Sequence, residues 1–345
     1  MIRNNKFFYS VHYFRGIAIL AIMLTHVWLL PNSKQDYYYD IFYSLREALF
    51  DGSTIYFVLI SGFLLNYLKD KFEIKRFYKS KIKNVISPYV FISICILIAT
   101  SFFGTVKESF HSFLYQLPEH LINGTASGPF WYIPFIIPFF LAGPLIIKIT
   151  QAQLHKLLPL LLFLPILGTR TGVTVTLQMY LYFFPIYLLG IYSSMNYETV
   201  ITFVRHYITP LVIGFVFLSI TIFHIVLYDV DLTYCIFSLK DGLVYLKCLL
   251  AAMLLIRLCD FLAAKNINTL DSLARYSFAF YFLHDFINYR LLFISIKVID
   301  YFNLEGYAQI IWGLIWGFVV ILITAAIILV AKIILGKYSR VLIGA

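Results

Sequence analysis

The chain is predicted to be an all-α, polytopic integral membrane protein with about ten transmembrane helices and both termini cytoplasmic. Three observations predict it. Of the 345 residues, 61% are hydrophobic and only 13% charged, with a mean hydropathy of +0.85. That charged share is roughly half the usual one, which excludes an ordinary water-soluble enzyme. Apolar stretches of about 20 residues, the length needed to cross the hydrocarbon core, recur from end to end. Finally, the basic residues are lopsided. Of the 27 Lys and Arg, 18 fall in segments on the side of the N-terminus, eight on the other side, and Arg15 lies inside a span. Cytoplasmic loops hold such an excess.

The expected spans are 9–30, 51–68, 86–104, 129–148, 157–169, 174–193, 208–228, 243–263, 277–297 and 308–336. The first has no small-residue cleavage site and carries Arg15 and His26, so it reads as a retained helix and not a signal peptide. The second is aromatic and contains Ser61-Gly62. A basic loop, Lys69 to Pro88-Tyr89, leads to the third. Trp131-Tyr132 opens the fourth at the outer interface. The fifth is short, between Lys156 and Arg170, and the sixth follows Gly172. Arg205 and Asp229 bracket the seventh, Lys240 and Lys265 the eighth. The ninth begins after Arg275, and the tenth is the longest uninterrupted run. Pro31-Asn32, Asn123-Gly124, Gly168 and Gly172 punctuate the joints. No internal repeat or low-complexity tract divides the chain, so residues 1–345 are expected to form one membrane-embedded unit.

The net charge of +10 suits anionic lipid headgroups and requires no nucleic acid. The four cysteines, Cys95, Cys235, Cys248 and Cys259, show no paired spacing. Buried apolar thiols are expected, with neither a disulfide framework nor a metal.

Arg15 and His26 are eleven residues apart, close to three turns, and so share one face about 16 Å apart. An ionisable side chain in hydrocarbon is costly and marks a pathway or a reaction centre by default. Arg15 is either a snorkelling anchor or a fork of donors for phosphate. His26 is either interhelical glue or a general base for an acceptor hydroxyl. Ser61-Gly62 permits close helix approach; a nucleophilic serine there would need a neighbouring base. Lys79, Lys81 and their neighbours serve as topogenic charge or as a docking surface for a polyanion, although alternation denies them one helical face. Trp131 is an aromatic-belt anchor or a sugar platform. Ser277, Tyr281 and His284 fall at four- and three-residue steps, a polar stripe facing the bundle interior that is able to share a cavity with His26. Asp285 stands ready to orient a histidine.

Together these segments resemble the acyltransferase 3 family of bacterial membrane O-acyltransferases, in the stand-alone form without an extracytoplasmic hydrolase-like domain. The resemblance rests on Arg15…His26, Phe57…Ser61-Gly62-Phe63, Lys79…Lys81…Pro88-Tyr89, Trp131-Tyr132…Pro144 and Ser277…Tyr281…His284, in that order. The family usually has two arginines where this chain has Lys81 and Asn84. The resemblance implies transfer of an acyl group, acetyl first and succinyl second, from cytoplasmic acyl-CoA to a hydroxyl of an extracytoplasmic or lipid-linked carbohydrate such as an exopolysaccharide. Arg15, with Lys79 and Lys81, would bind the donor, and His26 would be catalytic. Ser61, Trp131, Ser277, Tyr281 and His284 would line the acceptor cavity. It implies no permanently bound cofactor, acetyl-CoA as co-substrate, a place in the bacterial cytoplasmic membrane, and glycan synthesis or export proteins as partners. The rival class is a transporter exporting a polysaccharide or lipid-linked sugar, against which stands the lack of an inverted repeat of broken helices.

Overall fold

The computed structural model describes residues 8–28, 37–103, 110–170, 175–234, 237–265 and 267–345. Cys235, Lys107, Gly172 and the Pro31-Asn32 joint lie outside these residues. The chain is almost wholly helical, and among the described residues seven helices are long and apolar enough to cross a membrane. It is a polytopic membrane protein. The elements begin with α1 (Tyr9–Val27), α2 (Tyr37–Phe50) and α3 (Thr54–Tyr67). There follow α4 (Ile74–Lys81), α5 (Ser87–Phe103), α6 (Phe110–Asn123), α7 (Tyr132–Ile146) and α8 (Gln151–Phe163). After α9 (Leu177–Met195), α10 (Tyr197–His206) and α11 (Ile208–Leu227) comes a two-stranded hairpin, Thr233–Tyr234 with Phe237–Ser238. The remaining elements are α12 (Leu239–Ala263), α13 (Asn268–Arg275), α14 (Ser277–Phe302), α15 (Tyr307–Leu335) and α16 (Ser339–Leu342). Each expected span overlaps a helix in this order, but the stretches 157–169, 174–193 and 277–297 are not among the seven long and apolar enough to cross.

Two boundaries differ for physical reasons. The second span starts not at residue 51 but with α2, and α2 and α3 make one crossing broken at Asp51-Gly52-Ser53. Asp40, Arg46, Glu47 and Asp51 look like loop punctuation in sequence. In the fold Arg46 pairs with Glu47 at 3.0 Å inside α2, and Asp51, in the break itself, pairs with Arg170 at 2.7 Å. The break needs Gly52: its φ is +82°, and a Cβ would lie 2.6 Å from Val244 and 2.8 Å from the Cys248 sulfur.

The basic stretch before the third span is not a loop. After a 3-10 turn at Lys69–Lys71, α4 continues through a single π turn, Ile82–Ile86, into α5. The wide turn comes just before Pro88, whose ring would collide with the Asn84 carbonyl in a regular helix. Cys248 and Cys259 are buried as expected, but Cys95 is exposed.

A main apolar core runs through the bundle, with two smaller clusters around Val27 and Trp28. Its tightest seam is α3 against α9, where glycines face backbone reciprocally. A Cβ on Gly62 would stand 2.0 Å from the Tyr187 carbonyl oxygen, and one on Gly190 would stand 2.1 Å from that of Leu59. The close approach expected at Ser61-Gly62 is therefore real. On the other side, α1 packs against α12, α13 and α14, so Arg15 and His26 look into the bundle.

Candidate functional site

The site is built where α1, α3, α7 and α14 meet. At its lower level Arg15 turns toward protein, not toward lipid. Its Nη2 donates to the Ala274 carbonyl at 2.7 Å, at the end of α13 where carbonyls lack helical partners. Gly16 makes room for this, since a Cβ there would meet the Leu270 oxygen at 3.0 Å. Arg15 Nη2 also lies 3.4 Å from His12 Nδ1. A guanidinium only donates, so Nδ1 accepts and the ring proton sits on Nε2. That proton goes to Asp271 at 3.1 Å, and Arg275 donates to the other Asp271 oxygen at 2.5 Å. Arg15 Nε is buried without a partner. His12 was missed in the sequence, though its place three residues before Arg15 puts it on the same face.

The upper level is set by the break in the second crossing. Thr25 donates to the Phe50 carbonyl at 3.3 Å, which brings the end of α1 level with Asp51-Gly52-Ser53. There His26 lines a small pocket with Ile22, Thr54, Phe57, Trp131, Tyr132 and Tyr281. Its free volume is about 20 Å³, room for roughly one water molecule. The His26 ring lies 5.6 Å, centroid to centroid, from that of His284. His284 is fully buried, and its Nδ1 stands 2.8 Å from the Phe280 carbonyl oxygen. A carbonyl only accepts, so Nδ1 carries the proton and Nε2 presents a lone pair. Among the described residues, no protein group meets that lone pair. One turn further along, Asn288 donates to the His26 carbonyl at 3.2 Å and accepts from the Trp316 indole at 3.0 Å. The end of α1 is thereby fixed to α14 and α15.

The third wall is the 3-10 turn Gly128–Trp131 ahead of α7. The Tyr281 hydroxyl donates to the Pro129 carbonyl. Asp285 accepts from the Ser127 hydroxyl at 2.5 Å and the Gly128 amide at 3.2 Å. Asp285 thus clamps this turn; it orients no histidine. Trp131, 7% exposed, packs on Tyr132, Phe135 and Phe183. The belt-anchor reading fails for it, because the clamp draws the turn into the bundle.

Of the remaining candidates, Ser61 lies on α3 beside Tyr132. Ser277 is buried at the start of α14 with its hydroxyl unpartnered. Lys79 is exposed on α4. Lys81 turns the other way, its ammonium 4.3 Å from the centre of the Phe140 ring and 5.2 Å from that of Phe77. The two lysines therefore do not share a surface, and neither joins Arg15. A further polar group was illegible in the sequence. Asp51 pairs with Arg170, and the wholly buried Lys247 donates to the Ala48 and Asp51 carbonyls at 3.1 and 2.9 Å. These charges come from three separate stretches of chain, so no local pattern announces them.

A polytopic helical bundle with an internal histidine pair above an inward-facing arginine defines a membrane-embedded enzyme site more readily than a scaffold. Residues 8–333 match the acyltransferase domain model of the acyltransferase 3 family. The chain belongs to this family and is an acyltransferase. Its curated relatives include proteins named "Probable poly-beta-1,6-N-acetyl-D-glucosamine export protein" from Staphylococcus aureus strains N315, MW2 and MRSA252. Each is 24% identical over 294 residues, covering 79% of this chain and 79% of the relative. No solved structure matches.

Proposed function

We propose that this acyltransferase moves an acyl group, acetyl in the first instance, from cytoplasmic acyl-CoA to a hydroxyl of an extracytoplasmic or lipid-linked carbohydrate such as an exopolysaccharide. The observation that carries the reading is the histidine pair: His26 at a pocket of about one water's volume, its ring 5.6 Å from that of the buried His284, whose Nε2 has no partner among the described residues. His26 takes the proton of the acceptor hydroxyl as its oxygen attacks the thioester carbonyl carbon. The carbon–sulfur bond then breaks, and the thiolate leaves with the coenzyme. His284, held by Phe280, sets the polarity around His26. Trp131 and Tyr132 offer ring faces to the acceptor, and Arg15 holds donor phosphate below. Both termini and α4 lie on the cytoplasmic side in this reading, in the bacterial cytoplasmic membrane, with glycan synthesis or export proteins as partners.

The relatives' name supports the carbohydrate, and it also favours a second reading, export of the polymer itself. His26→Gln separates the two, because glutamine still hydrogen-bonds but takes no proton near neutral pH. General acid–base catalysis supplies about 10²–10⁴-fold, so acyl content per sugar of the envelope glycan should fall to background at normal protein abundance. An exporter would instead show less extracellular glycan with unchanged acylation per sugar. Normal acylation in the Gln variant would remove His26 as the base.

A further inference from the structure

The segment after α15 makes a hook. Following a 3-10 turn at Gly336–Tyr338, α16 packs against α5 and the π turn Ile82–Ile86. Ser339 and Ile343 are buried, and Gly344 lies so close to α14 that a Cβ would stand 3.0 Å from Phe278. This fold-back puts Arg340 within electrostatic reach of Arg15. Among the described residues, no carboxylate pairs with either guanidinium. Asp271, the acid on that side, is already taken by His12 and Arg275. Arg15 still has a buried Nε–H with no acceptor, while Arg340 is exposed on its helix. Two unpaired like charges held together by a docked segment repel each other, and an anion between them relieves that repulsion.

We propose that Arg340 completes the donor site with Arg15, the two guanidiniums gripping a phosphate of the acyl-CoA donor. The inference rests on the acyl-CoA reading above. It also addresses the departure noted in the sequence. Where the family usually has arginines, this chain has Lys81, which is occupied by rings, and Asn84, which donates to Ser80 at 3.0 Å. Arg340 lies beyond the residues matched by the family model, so the second guanidinium comes from a segment outside that pattern. A planar fork suits phosphate as a lysine ammonium does not.

The test compares the full-length protein with Arg340→Gln and Arg340→Lys in nanodiscs of neutral lipid, using CoA and pantetheine as probes in binding titrations. Pantetheine has the thiol arm and lacks the nucleotide phosphates. Losing one charge-assisted contact weakens binding by about ten- to a hundredfold. The Gln variant should lose that much affinity for CoA and none for pantetheine, with Arg340→Lys between the two, and its CoA binding should depend less steeply on salt. Equal weakening for both probes would mean a structural role for the hook and would overturn the proposal. Unchanged CoA affinity in the Gln variant, with wild-type binding intact, would overturn it while sparing the donor reading. No CoA binding by the wild-type protein would sink the donor reading itself. Anionic lipid is the other source of phosphate. Should nanodiscs containing phosphatidylglycerol compete with CoA in neither protein, the coenzyme assignment stands. Should the Gln variant lose only its preference for that lipid, the anion is a headgroup and the proposal fails.

Discussion

Gly62→Ala tests whether the α3–α9 seam shapes the site. The new Cβ would stand 2.0 Å from the Tyr187 carbonyl oxygen, and contacts under 3.0 Å are essentially never seen. The obstacle is backbone, with no rotamer to yield, so the two helices must separate by at least about 1 Å. Overpacking of this kind costs about 1–3 kcal/mol, and the upper end applies where neither partner can turn aside. The consequence travels to the pocket, because α3 also carries Thr54 and Phe57 on its wall. With room for only about one water, a wall shifted by an ångström loses its fit. Purified Gly62→Ala should unfold at a temperature lower by roughly 5 °C, and its transfer activity should drop more than its abundance. Gly190→Ala meets the Leu59 carbonyl at 2.1 Å across the same seam. Once one alanine has opened the seam, the second finds space, so the double variant should cost clearly less than the sum of the singles. Wild-type melting and activity for Gly62→Ala, or strict additivity in the double variant, would refute this account of the seam.

Three further outcomes are expected. Arg15→Lys keeps the charge but loses the fork that serves Ala274 and His12 and, in the proposed function, a donor phosphate, so apparent affinity for acyl-CoA should fall about tenfold or more at normal abundance; steady-state kinetics in nanodiscs reads it. Asp51→Asn leaves Arg170 without its 2.7 Å partner, a loss of about 3 kcal/mol for a largely buried pair, visible as reduced membrane abundance and a lower melting temperature. In a cysteine-free background, a thiol placed at Lys79 should resist labelling from outside the cell and one placed at Asn303, in the turn between α14 and α15, should label; the reverse would invert the topology.

The sequence by itself determined the class of protein and the order of its helices, because burial in lipid demands long apolar runs and these are visible without any partner. It also put Arg15 and His26 on one face, since helical spacing alone decides that, and it placed Ser277, Tyr281 and His284 on one stripe. The tertiary structure decided the rest. Asp51 reads as a loop residue until Arg170, more than a hundred residues later, supplies its counter-charge, and Arg46 and Glu47 pair with each other inside α2. Lys79 and Lys81 look equivalent in the chain, yet one is exposed and the other lies over aromatic rings of α4 and α7. Arg15 was a snorkel or a phosphate ligand on sequence grounds, and only α13 shows it turned inward. The histidine pair and the clamp of Asp285 on Ser127 and Gly128 join residues from distant parts of the chain. Such contacts depend on how the helices pack, and helix packing in a membrane is set by small-residue seams and polar pairs whose partners no local spacing reveals.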